Sequence, residues 1–578
     1  MLKKLWPCTH GYRRWIVLGV LCSACEAVFE LLIPLVMADI VDIGIRSGDA
    51  DYILHKGLVM VCMALLSMTC GLLGAALSSL SGQGFGANLR EAEYDHIQTF
   101  SFSNIEKFST ASLITRLTTD VNAMQMTLMM GMRLMVRAPV MLISALILSI
   151  RISRQLSTVF VVVIPLLAVI IGIILRRVSP MFRSLQERTD ALNLVVQENL
   201  TSIRVVKSFV RESHEQEKFG RRNDDLRSTS ERAFGAVVIN MPLMMLIIYS
   251  TIIAVLWFGG GLVHAGSLDV GKLSTFITYI SQILISLMMV SMIFMMATRS
   301  IACARRICEV LEEVPSINND QADAALQVQS GSIRFDHVNF KYDAASPTWN
   351  LSDISLEIPA GSTVGILGPT GSGKTTLISL IPRLYEANEG HIYIDGQDIR
   401  GYTLEHLRDC CSVVLQKNTL FSGTIRENLL WGNPDATEDQ LRHACAAACA
   451  DEFIDRMPDG LDTDLGQGGV NVSGGQKQRL CIARAILKQP KILILDDSTS
   501  AVDTATDAKI RQAFSEELKN TTKIIIAQRV TSIQDADQIL ILEDGRVAAR
   551  GTHAELMASS AMYRDIYQTQ QEGVHIDG

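Results

Sequence analysis

Two stretches of this 578-residue chain carry residue types suited to phosphate chemistry. "TVGILGPTGSGKTTLISLI" (Thr363 to Ile381) runs from an apolar strand through Gly368, Thr370, Gly371, Ser372 and Gly373 to Lys374, Thr375 and Thr376, then into an apolar helix. That is a GxxxxGK[ST] loop in its required setting, and it predicts binding of a nucleoside triphosphate. The glycines let backbone N–H groups close around phosphate oxygens, and the helix N-terminus adds its positive dipole end. Lys374 is placed to reach the outer phosphates and the Thr375 hydroxyl to bind Mg²⁺. In "ILILDDSTSAVD" (Ile492 to Asp503) four aliphatic residues deliver two acids to a strand end. Asp496 is the expected second anchor for the magnesium, directly or through a water. A phosphate loop alone leaves kinases, GTPases and motors open.

The rest of the chain must hold this site, and its composition is uneven. It is 48% hydrophobic and 19% charged, with a mean hydropathy of +0.25; the apolar excess lies before about residue 300. The chain is too long for one core. A membrane domain over 1–308, a polar linker over 309–330 and a soluble α/β domain over 331–578 are predicted. The formal charge of −8 argues against nucleic acid as a partner, because a phosphate-binding surface makes its domain basic. Twelve cysteines lack the spacing of a zinc site or a disulfide framework.

Largely apolar stretches long enough to span a bilayer fall at 15–38, 56–81, 128–150, 157–178, 236–258 and 273–297. The first carries Glu26 and Glu30 and is too long for a cleaved signal, so six spans are expected. Lys3, Lys4, Arg13 and Arg14 precede it, whereas the loop over 39–54 is acidic. The positive-inside rule therefore places both termini in the cytosol, although Arg151 and Arg154 fall outside against it. The segments 82–127 and 179–235 are too long for turns, and the periodicity of "LVVQENLTSIRVVKSFV" (Leu194 to Val210) predicts helices continuing below the membrane.

"VNVSGGQKQRLCIARA" (Val470 to Ala485) narrows the choice. Between the phosphate loop and "LILDD" it resembles the signature of ATP-binding cassette proteins, and six spans before one cassette resemble an ABC exporter half-transporter. The resemblance implies an α-helical membrane domain of six transmembrane helices plus a C-terminal α/β P-loop ATPase domain of the ABC type. It implies ATP and Mg²⁺ as cofactors, a multi-pass location in the plasma membrane and a cytosolic cassette. Tyr342 would stack on adenine, Gln416 would touch Mg²⁺ and sense the membrane domain, and Asp503 would be the D-loop aspartate. Ser473, Gly474, Gly475 and Gln476 would face the γ-phosphate held by a partner's phosphate loop.

Three positions depart from the pattern of that family. The residue after Asp496 is usually a glutamate that orients water, and here it is Asp497; the switch loop usually carries histidine, and here it is Gln528. A carboxylate one methylene shorter misplaces a water-orienting hydrogen bond, and losing a general base typically costs about 10²- to 10⁴-fold in rate. Glutamine hydrogen-bonds but carries no positive charge. Glutamate and arginine are also usual near Gln467 and Gly468. With the binding motifs intact, the combination resembles the degenerate-site subunit of bacterial heterodimeric multidrug exporters. It implies a second half-transporter with the usual Glu and His as partner.

Cargo signals are sparser. Twenty-one of the 24 methionines precede residue 300, among them Met288, Met292 and Met295, whose flexible side chains suit a wall for hydrophobic or amphipathic small molecules. Glu26 and Glu30 lie one helical turn apart near mid-bilayer, where carboxylates line water or pair with a cation. Two readings stay open for them: contact with a cationic or amphipathic cargo, or pairing with Arg133 or Arg137. Within transport, a lipid flippase or peptide exporter is the nearest alternative, and an ATP-gated regulatory membrane protein is the alternative from another class.

Overall fold

The computed structural model describes residues 2–497 and 504–576. The chain divides into two compact units: residues 1–98 with 111–312, and residues 99–110 with 313–578.

The first unit is helical. Its long helices are α1 (Arg13–Asp39), α2 (Ala50–Gln98), α4 (Val121–Ile152), α5 (Arg154–Thr201), α7 (Glu212–Val238), α8 (Asn240–His264) and α9 (Val270–Glu312), with the short α6 (Ile203–Ser208) among them; the short α3 (Phe102–Phe108) belongs to the second unit. At 1.5 Å per residue the 49-residue α2 is about 73 Å long, far more than a bilayer core of about 30 Å. The spans thus continue, as predicted, into longer helices.

Five of these segments are long and apolar enough to cross a membrane: Arg13–Ile45, Ala50–Gln98, Thr110–Ile152, Pro242–His264 and Val270–Val290. The expected span at 157–178 lies within the 48-residue α5, of which Arg154–Ile170 stands as a shorter apolar helix among the described residues. Five candidate spans, not six, therefore stand among the described residues.

Leu31, Phe160, Phe276, Tyr279 and Ile283 form the centre of the apolar core of this unit, and the Tyr279 hydroxyl donates to the Leu31 carbonyl at 2.6 Å. Arg137 on α4 bridges both acids of α1, reaching Glu26 at 2.7 Å and Glu30 at 2.5 Å. Of the two readings left open for these acids, the pairing partner is Arg137.

The second unit is built on two sheets. A four-stranded antiparallel sheet has the order β2-β1-β4-β5, from β1 (Ile333–Phe340), β2 (Leu351–Ile358), β4 (Glu389–Ile394) and β5 (Gln397–Asp398). A six-stranded sheet, β10-β9-β3-β8-β7-β6, contains β3 (Thr363–Leu367), β6 (Cys411–Val414), β7 (Ile492–Asp496), β8 (Thr522–Ile526), β9 (Gln538–Glu543) and β10 (Arg546–Gly551). All its pairings are parallel except that of the edge strand β10. Strands covered on both faces read as continuous apolar runs, and every residue of β7 is buried.

Candidate functional site

Parallel pairing sets the site. The register Asp496↔Ile526 aligns the ends of β7 and β8, and β3 lies on the other side of β8. The carboxyl ends of three neighbouring strands thus open on one edge, where α/β sheets bind ligands. There the phosphate loop leaves β3, the paired acids leave β7, and the loop carrying Gln528 leaves β8.

Between β3 and α10 (Lys374–Leu380) the loop turns through left-handed Gly371 (φ 86°) and Gly373 (φ 95°). A Cβ on Gly373 would lie 2.8 Å from Leu351 Cδ2 and 2.9 Å from the Asn350 carbonyl. Packing and backbone conformation both demand glycine there. The result is a cleft of about 650 Å³ lined by Asn350, loop residues 367–371 and 373–376, Gln416, Asp496, Asp497, Ile526, Gln528, Met562 and Ile566.

Within the cleft the Thr375 hydroxyl donates to Asp496 Oδ2 at 3.0 Å, bringing the two expected magnesium ligands together. Lys374 Nζ donates to the carbonyls of Gly368 (2.8 Å) and Pro369 (2.7 Å). Burial lowers the Lys374 pKa, opposed by the charges of Asp496 and Asp497. Burial also raises the pKa of both acids; Thr375 offsets part of this at Asp496 and Gln528 part of it at Asp497. A hard cation that draws out both negative charges suits this donor set of hydroxyl, carboxylate and amide oxygens.

The two atypical residues meet directly. Gln528 Nε2 donates to Asp497 Oδ2 at 2.8 Å, and Asp497 adopts a left-handed backbone conformation (φ 48°). Gln528 is held in turn by Gln570 on α12 (Ala561–Ile576): its carbonyl accepts from Gln570 Nε2 at 2.8 Å, while Gln570 Oε1 accepts from Val530 N–H at 2.9 Å.

Tyr342 sits beside the cleft. Its hydroxyl shares a 3.1 Å hydrogen bond with Thr376, and Phe340 and Tyr385 meet its ring nearly perpendicularly at 4.9 and 5.0 Å. The side chain remains 47% exposed, leaving area for a stacked base. Ser372 is buried, and its hydroxyl has no hydrogen-bond partner among the described residues.

The signature residues lie elsewhere. Ser473 caps α11 (Gly474–Leu487): its hydroxyl accepts from Gln476 N–H, and Gln476 Oε1 accepts from Ser473 N–H. Neither these two nor Gly474 and Gly475 line the cleft. Gln467 and Gly468 form a tight turn with Gly468 left-handed at φ 65°. Asp503 lies outside the described residues, as does the Met295 side chain; Met292 is 58% exposed and Met288 partly buried.

Sequence reasoning did not single out Gln570, Asn350, Met562 and Ile566. They come from segments remote in sequence and carry no motif; only the fold brings Asn350, Met562 and Ile566 to the cleft and Gln570 to the loop carrying Gln528.

A helical membrane unit joined to a phosphate-loop cassette defines a membrane transport ATPase. Residues 16–288 match the ABC transporter transmembrane region and residues 351–500 match the ABC transporter family. The chain is 40% identical over 546 residues to the uncharacterized ABC transporter ATP-binding protein YfiB of Bacillus subtilis, covering 94% of each. It is 34% identical to a fatty acid ABC transporter ATP-binding/permease protein of Mycobacterium bovis, over 85% of this chain and 77% of that protein. It superimposes on a bacterial Atm1-family ABC exporter with ATP bound at a TM-score of 0.82 and 26% identity, covering 97% of this chain and 98% of the other. The chain belongs to the ABC transporters, with fused transmembrane and ATP-binding domains in the half-transporter arrangement of an exporter.

Proposed function

We propose that this chain is one half of a heterodimeric exporter that moves hydrophobic or amphipathic compounds out across the plasma membrane, its own phosphate loop holding ATP that it hydrolyses slowly. The observation that carries the reading is the 2.8 Å hydrogen bond from Gln528 to Asp497. The shortened carboxylate is engaged by an amide, while the binding parts around it, Lys374 and the Thr375–Asp496 pair, are complete.

In this reading Asp496, Thr375 and Gln416 hold Mg²⁺, and Tyr342 carries the adenine. Ser473 to Gln476 and Asp503 act on the ATP bound by the partner, which supplies the missing glutamate and histidine. A second chain also suits the apolar exposure of Val205, Phe209 and Val210 around α6, a surface expected to be covered in the assembly. Six spans from each chain would surround the cargo path, both termini remaining cytosolic. Met288, Met292 and Met295 are proposed to line it. Arg137 already neutralises part of the Glu26/Glu30 charge, so a cationic cargo would have to displace it. The fatty-acid relative supports a lipid-like cargo as a second reading.

The test is phosphate release by the chain reconstituted alone. Slow turnover is expected, and Asp497→Glu combined with Gln528→His should raise it about 10²-fold, the lower end of a general-base contribution. Vigorous hydrolysis by the unmodified homodimer would overturn the slow-site reading.

A further inference from the structure

The segment 99–110 lies between helices of the membrane unit in sequence yet packs as part of the cassette unit. Its helix α3 is fastened there at two places. At one, Asn104 Nδ2 donates to Glu313 Oε1 at 2.9 Å, Lys107 pairs with Glu313 at 2.6 Å, and Ser101 Oγ lies 2.6 Å from Ser316 Oγ. At the other, the Tyr385 hydroxyl donates to Glu106 Oε1 at 2.7 Å and the Tyr385 ring lies 5.9 Å from Phe102.

Tyr385 touches the nucleotide side as well. Its ring meets Tyr342 edge-on at 5.0 Å and Phe340 at 5.8 Å, and the Tyr342 hydroxyl bonds to Thr376 in the phosphate loop. An unbroken series of contacts therefore runs from Thr376 through Tyr342 and Tyr385 to Phe102 and Glu106. Each aromatic in it has its edge or hydroxyl occupied, so a shift of Tyr342 has to be taken up by Tyr385. Tyr385 is the partly buried member of the series, held between the half-exposed rings of Tyr342 and Phe102.

We propose that Tyr385 is a positioning residue that makes α3 responsive to the base of the bound nucleotide: adenine stacked on Tyr342 fixes that ring, and Tyr385 passes the constraint to Glu106. The proposal rests on the reading that Tyr342 carries adenine, and is independent of how fast the site hydrolyses. It assigns the phosphates and the base separate tasks, the phosphates filling the loop and the base ordering α3.

Spatial continuity alone does not establish coupling, so the test must measure it. Hydrogen exchange of residues 100–109 is followed in the full chain in lipid nanodiscs, with Mg²⁺ alone, with ATP and with inorganic tripolyphosphate. ATP should slow exchange at least about five-fold, the lower end of typical site-to-site coupling, and tripolyphosphate should not. Tyr385→Phe keeps the ring and removes the hydroxyl; it should retain ATP affinity while losing most of that slowing. Glu106→Gln keeps an acceptor and should retain it, and Glu106→Ala should lose it. Full slowing in Tyr385→Phe and Glu106→Ala, or equal slowing by tripolyphosphate, overturns the proposal. Unchanged ATP affinity in Tyr342→Ala would identify the base-stacking reading as the failed step, and the proposal falls with it.

Discussion

At the residue scale, the proposed slow site turns on side-chain length and charge, a carboxylate one methylene shorter at Asp497 and an amide at Gln528. Asp497 and Gln528 change neither the strand ends nor the loop, only what an attacking water would meet. A second residue-scale consequence concerns Gly373. With φ at 95° and two neighbours within 3 Å of any added Cβ, Gly373→Ala must strain the backbone and push against Leu351 and the Asn350 carbonyl. ATP affinity measured by equilibrium binding should fall at least about ten-fold, equivalent to about 1.4 kcal/mol. The phosphate loop, the paired acids and both departures could be read in the sequence because each is contiguous and chemically unusual. Gln570 could not, since a glutamine on an amphipathic helix has no distinguishing neighbours until α12 folds beside the loop carrying Gln528.

At the element scale, long helices carry polar features far from any motif. Glu93 lies on α2, 12 residues beyond the predicted span at 56–81, or about 18 Å along the helix. Its side chain is fully buried, and neither carboxylate oxygen has a hydrogen-bond partner among the described residues. Burial pushes its pKa up to about 7, with Arg116 pulling it down and Asp120 pushing it up. The folded chain thus keeps this proton at a pH where the unfolded chain, with a glutamate near 4.3, has lost it. The stability linked to Glu93 is therefore complete below about pH 4 and is lost as pH rises through 7, by about 4 kcal/mol in all. Glu93→Gln, which is always neutral, should raise the thermal midpoint of the membrane unit at pH 8 and change it little at pH 5. Helix periodicity in the extensions beyond the spans was legible, but a buried acid within one was not, because burial depends on the helices packed around it.

At the scale of the whole chain, the membrane unit is pinned by a charged cluster. Arg137 joins Glu26 and Glu30 across two helices, and removing one partner of such a pair strands the remaining charges where water is scarce. Arg137→Met should destabilise the unit by about 3 kcal/mol or more, read as a lower melting temperature in detergent. Glu26→Gln with Glu30→Gln in the same chain should recover much of the loss. The pair of acids stood out in the sequence because charges are rare in apolar runs; choosing between Arg133 and Arg137 required the rotation of α4 against α1, which no local pattern specifies.

The affiliation of residues 99–110 also bears on how the cassette can be handled in isolation. A fragment begun at residue 313 would leave behind the turn that shields Tyr385 and takes up Glu313, uncovering an aromatic surface and stranding an acid. Such a fragment should be sticky and poorly behaved, and its nucleotide affinity would describe a domain missing one of its own packed segments.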